Sequence, residues 1–241
     1  MKKVNEIELE TELLEQLEDL KRKLQDASED AKDANRLKKE FWRIIGKIKR
    51  LPEVSDEIAG RAAEIHSLLF IKRTVLDFRN GALVFSGFLV LTYSLFFWIA
   101  LHAELKNFQK SLLALFVEFP ILYLSFLTGR CLAGVISGIK FKGFYRYNPF
   151  ELGLRLDYYS YLRAGQQRRV LLFGIPILWE HLILLSQLIV LLKYNQSLIW
   201  IPGIFLISNL PFSYLIHKKL KTGELHRFLR EMKILREIEQ K

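Results

Sequence analysis

The chain has 241 residues, with 51% hydrophobic and 26% charged side chains and a formal net charge of +10. A single cysteine, Cys131, excludes an intrachain disulfide. The positive charge lies beside long apolar stretches, where anionic head groups attract each Lys or Arg by about 1 kcal/mol, so the placement favours a membrane surface over nucleic acid.

Residues 1–80 contain almost no Gly or Pro before Leu51-Pro52. Apolar residues recur at Leu13, Leu17, Leu20, Leu24, Ala27, Ala31, Ala34, Phe41, Ile45 and Ile48, with Lys38 as the one break. That heptad spacing predicts a coiled coil over 1–50. As one rod from Ile7 to Arg50 it would run roughly 65 Å at 1.5 Å per residue. Such a stripe needs a partner: a second copy of the chain, another protein, or the chain's own helices. After Pro52, Ser55 is placed to cap a helix with Asp56 and Glu57 in its first turn. The segment 51–80 is therefore expected to be an amphipathic helix leading into the membrane.

Four apolar stretches follow, approximately Gly81–His102, Ser111–Ile139, Val170–Leu192 and Ser197–Ile216. Each reaches the length of about 20 residues that a helix needs to cross hydrocarbon. The first 80 residues are too charged for a cleavable signal peptide, so the first span is expected to act as its own insertion signal. The loop between the second and third stretches carries Lys140, Lys142, Arg146, Arg155, Arg163, Arg168 and Arg169. The tail after residue 216 is also strongly basic, whereas the opposite links hold only Lys106, Lys110 and Lys193. Basic residues collect on the cytoplasmic side, which predicts both termini inside. Asn148-Pro149-Phe150-Glu151 has the form of a helix start and Gly165 that of a stop. An interfacial helix over 148–164, bracketed by basic residues, is the expected inner loop. The basic loop residues are candidate contacts for anionic lipid head groups or plain topology anchors. Residues 217–241 form a basic amphipathic tail, with Leu225, Phe228, Leu229, Met232 and Leu235 on one helical face.

Within the spans, Glu118, Arg130, Glu180, His181 and Asn209 form a candidate intramembrane polar site, because ionisable groups in hydrocarbon face partners or water. Pro120, Pro176, Pro202 and Pro211 are expected to break three of the spans. Gly134 and Gly138 match a small-xxx-small packing motif. Metal-ligand spacing, phosphate-binding glycine loops and a nucleophile elbow are absent, so neither a catalytic residue, a cofactor nor a metal is assigned. In topology alone, two membrane hairpins with a loop and an amphipathic tail resemble reticulon-type membrane-curving proteins.

The expected fold is therefore all-α: a polytopic membrane protein with four transmembrane helices over 81–216, a coiled coil and an amphipathic tail. Three functions fit it: a coiled-coil-assembled homo-oligomeric pore or transport component, a non-catalytic scaffold recruiting a cytoplasmic partner, or a membrane-embedded lipid enzyme.

Overall fold

A computed structural model describes residues 2–26, 31–70, 73–148 and 151–240. Four of its helices are long and apolar enough to cross a membrane: α4 (Phe78–Leu101), α5 (Asn107–Ser137), α7 (Gln166–Tyr194) and α8 (Trp200–Leu220, preceded by a 3-10 turn). α5 and α7 form the centre, with α4 against α5 and α8 against both. Outward side chains such as Leu83, Leu91, Ile207 and Phe212 are exposed, the surface that hydrocarbon would cover. Pro120, Pro176 and Pro211 lie inside continuous helices, so the expected breaks do not occur. Pro202 falls in the first turn of α8, where a missing N–H removes no intrahelical bond.

The N-terminal heptads do not make one rod. α1 (Lys2–Asp26) and α2 (Ala31–Ile48) are separate helices packed on each other, and α3 (Asp56–Leu69) packs on both. Leu13, Leu17 and Leu20 are fully buried with Phe41, Ile45, Ile48, Ile58 and Ile65. The apolar stripe is thus covered by the chain itself. Ion pairs Lys21–Glu64 (2.7 Å) and Lys23–Glu40 (3.1 Å) border that core. Ala27 of the heptad series lies outside the described residues. Ser55 stands at the N-cap of α3 but makes no side-chain cap bond. α3 also stops at Leu69, so no single helix leads into the first span.

The loop between α5 and α7 departs most from expectation. β2 (Phe141–Asn148) and β3 (Glu151–Leu156) form an antiparallel hairpin, joined by β1 (Thr74–Leu76) in the order β1-β2-β3. Helix is confined to α6 (Tyr158–Arg163), capped by Asp157, which accepts a bond from the Ser160 amide at 3.2 Å. The expected 148–164 helix is therefore replaced by a strand and a single turn or two of helix; Pro149 and Phe150 lie outside the described residues. Leu152, Leu154 and Leu156 alternate with Gly153 and Arg155, the period of a strand. Gly134 admits the Phe141 ring, whose Cε2 would sit 2.6 Å from an added Cβ, and Gly138 ends α5 at φ 69°. These glycines serve the hairpin and the helix end rather than a helix crossing.

The last helix, α9 (Gly223–Glu239), turns back after α8 and packs on α7. The corner uses left-handed backbone at Lys221 (φ 51°) and Gly223 (φ 85°). Phe228 lies over Gly174, with its Cε2 3.0 Å from where a Cβ would stand. Arg50 of the N-terminal unit pairs with Glu237 at 2.9 Å. α1–α3, the sheet, α6 and α9 together build one polar head on the bundle end formed by the C-terminus of α5 and the N-terminus of α7.

Candidate functional site

A cavity of about 550 Å³ lies where the head meets the bundle. Its wall carries Lys49 from the turn after α2, Arg130 from α5, Arg155 from β3, and Arg227 and Arg230 from α9. Glu224 is the carboxylate on the wall itself, and Glu231 just behind it lies 2.6 Å from Lys49 and 3.3 Å from Arg230. Glu224 accepts a bond from Arg130 and lies 3.4 Å from Arg227. Helical spacing puts Glu224, Arg227 and Arg230 on neighbouring turns of one α9 face. The rest of the wall is apolar or aromatic, including Trp42, Phe70, Tyr158, Tyr161 and Phe173.

One edge of the cavity is fixed by a buried polar cluster. Lys49 Nζ donates to Glu231 at 2.6 Å and also to the Tyr161 hydroxyl. Tyr161 in turn donates to Glu231 at 3.0 Å, and Gln166 Nε2 donates to the same carboxylate at 3.0 Å. Burial pulls the Lys49 ammonium down to about 8, partly offset by Glu231. Burial alone would raise Glu231, but the Lys49 charge and the bonds from Lys49 and Gln166 hold it below the usual carboxylate range. At neutral pH the pair is ionised. Burial also raises Tyr158 and Tyr161, so both stay protonated donors.

Unpartnered polar atoms are buried here, the Gln166 Oε1 acceptor as well as donors. Arg169 is 2% exposed, and its Nε and Nη1 have no hydrogen-bond partner among the described residues. Its guanidinium lies 5.9 Å from the Tyr161 ring centre. The hydroxyl of Tyr158, a wall residue 5% exposed, is likewise unpartnered. An orphaned buried donor costs about 1–3 kcal/mol, and more when charged. An anion placed in the cavity would meet the Tyr158 hydroxyl and the wall cations, whereas Arg169 is not part of that wall.

The five intramembrane polar residues do not assemble into one site. Glu118 is fully buried and accepts from Gln187 at 3.0 Å. Arg130 leaves the bundle interior for Glu224 and stacks over Phe126 at 4.4 Å. Glu180 and Asn209 share the wall of one small cavity. His181 Nδ1 contacts its own helix at the Ile177 carbonyl, 2.7 Å away. This second cavity, of about 110 Å³, is also bordered by Ser213 and Glu224.

The expected head-group residues also scatter. Arg155 reaches the cavity and Arg169 lies buried behind Tyr161. Arg163 pairs with Asp56 at 2.8 Å, and Lys142 with Asp157 at 3.5 Å. Lys140, Arg146 and Arg168 are exposed on the head surface. Sequence reading missed Lys49, Tyr158, Tyr161, Gln166, Glu224, Arg227, Arg230 and Glu231 as members of a site. The available signal was Glu231, an acid one helical turn from Phe228 and Leu235 of the apolar face of α9. Searches against protein-family models, curated proteins and solved structures find no match for this chain.

Proposed function

We propose that this is a multi-pass membrane protein, with both termini cytoplasmic, that binds a phosphate-bearing anion in the cavity at its inner interface and acts as a non-catalytic receptor or accessory subunit. The observation that carries this reading is a cavity wall that gathers Lys49, Arg130, Arg155, Arg227 and Arg230 around the buried, unpartnered Tyr158 hydroxyl. Guanidinium groups suit phosphate because their planar forks bond two oxygens at once. The inside placement of the head is supported by the basic loop and tail, and it puts the cavity at the level of inner-leaflet head groups.

The ligand phosphate can belong to an anionic lipid or to a soluble compound, and one experiment separates the two. Protein in nanodiscs of neutral lipid is titrated with pyrophosphate, and separately reconstituted with phosphatidic acid for retention of bound lipid. Saturable binding in either arm, weakened roughly tenfold to 100-fold in Arg227→Gln/Arg230→Gln, is expected. Arg236→Gln, on the same helix outside the cavity wall, should bind normally. Absence of binding in both arms, or equal binding by the double variant, would overturn the reading.

We propose as a second reading an ion or proton path, supported by Glu180 and Asn209 in the wall of the smaller cavity. Liposome flux altered by Glu180→Gln would favour it; liposomes no leakier than empty ones would remove it.

A further inference from the structure

The two ends of the cavity differ in chemistry. At one end Arg130 and Arg227 converge on Glu224. At the other, the Trp42 and Phe70 ring centres lie 5.5 Å apart, and His66 stacks on Tyr158 at 4.2 Å and 5°. A continuous line of contacts joins them: Tyr158 to Tyr161 at 5.6 Å, Tyr161 to Phe173 at 6.3 Å, and Phe173 to Arg227 at 5.9 Å. The aromatic end belongs to α2 and α3, away from the spans, where an acyl chain would have no hydrocarbon to continue into. Trp42 is 46% exposed there although its neighbour Phe41 is fully buried. An open indole in a cavity wall is a stacking platform, since every nucleobase presents a π-face to it. Lys38 Nζ lies 5.7 Å from the Phe70 ring centre, which occupies part of that ring's surroundings and leaves Trp42 as the principal platform.

Resting on the reading of the cavity as a phosphate site, we propose that its ligand is a nucleotide. The phosphates lie among Arg130, Arg227 and Arg230, and the base stacks on Trp42. Stacking of one base on an aromatic side chain strengthens binding by roughly tenfold or more, so the base, not only the phosphates, sets affinity.

The test uses the full chain in neutral nanodiscs, titrated calorimetrically with pyrophosphate and with ADP, GDP, CDP and UDP in turn. At least one nucleoside diphosphate is expected to bind tenfold tighter than pyrophosphate and to quench Trp42 fluorescence. Trp42→Ala should bring that nucleotide to the pyrophosphate level while pyrophosphate binding stays unchanged, and Trp42→Phe should keep most of the difference. Nucleotides that bind no tighter than pyrophosphate would overturn the proposal and leave the phosphate reading standing. So would a nucleotide preference that survives Trp42→Ala. If neither pyrophosphate nor any nucleotide binds, the nucleotide proposal falls, and only the lipid arm of the phosphate reading remains.

Discussion

Glu118 and Gln187 face each other at 3.0 Å between α5 and α7, both with no solvent exposure. Each keeps one oxygen without a partner, so the bond between them is what satisfies the pair. Gln187→Leu should lower bundle stability by about 1–3 kcal/mol through the orphaned carboxyl. Glu118→Gln keeps the shape and an acceptor, and should cost less than about 1 kcal/mol, near the average for interhelical bonds in membranes. Thermal scans in detergent compare the two, and equal losses would show that the pairing contributes little.

Breaking the Lys49–Glu231 pair should release the last helix. Both side chains are almost completely buried (6% and 0% exposed), and removing one partner of such a pair typically costs about 3–5 kcal/mol. Lys49→Met should therefore expose α9 to proteolysis, and Lys49→Met with Glu231→Leu should recover much of the loss. The acid dependence has a fixed sign. Glu231 titrates below its ordinary 4.5 in the folded chain, so its contribution is complete above that pH and fades as pH falls through the folded value.

The burial of Leu17 inside the head gives a different outcome from a self-associating rod. Leu17→Asp puts a charge at a position with no solvent exposure, which costs several kcal/mol. Faster hydrogen exchange throughout α1–α3, with unchanged native mass, is expected. A lower oligomer order with α1–α3 still protected would contradict the intramolecular packing.

Mild acid should loosen the α8–α9 corner. His217 and His226 meet Nδ1 to Nδ1 at 3.0 Å. Burial, His217, Arg230, Arg227 and Lys221 all push His226 below 6.5. The undocked helix then takes up a proton before the docked one does, so docking is complete above about 6.5 and weakens as pH falls through it. Hydrogen exchange of α9 between pH 5 and 7.5, corrected for intrinsic rates, should show this in the native chain. In His226→Gln, which bonds without titrating, the trend should flatten.

Much of this architecture was legible because its signals are local. Four stretches of spanning length identify α4, α5, α7 and α8 without tertiary information, and the leucine stripe from Leu13 announces a face that must be covered. What covers it is not local: the same spacing serves a rod, a dimer or the three-helix packing observed here. Leu152, Leu154 and Leu156 offered a strand period, but the helix-like start at Asn148 and the aromatic run to Leu162 masked it. The cavity was least readable. Its cations come from the turn after α2 and from α5, β3 and α9, and no short pattern links Lys49 to Arg227.

The head is completed by residues from both ends of this sequence. Lys49 and Glu231 are 182 positions apart, and synthesis at about 5–20 residues per second separates them by roughly 10–40 s. During that interval α1–α3 can close their own leucine core, while Lys49 waits without its counter-charge. The four apolar helices enter the bilayer before α9 arrives to supply Glu224, Arg227 and Arg230. Until α9 has been made, the cavity wall therefore lacks three of its charged residues and the Lys49 ammonium lacks its carboxylate.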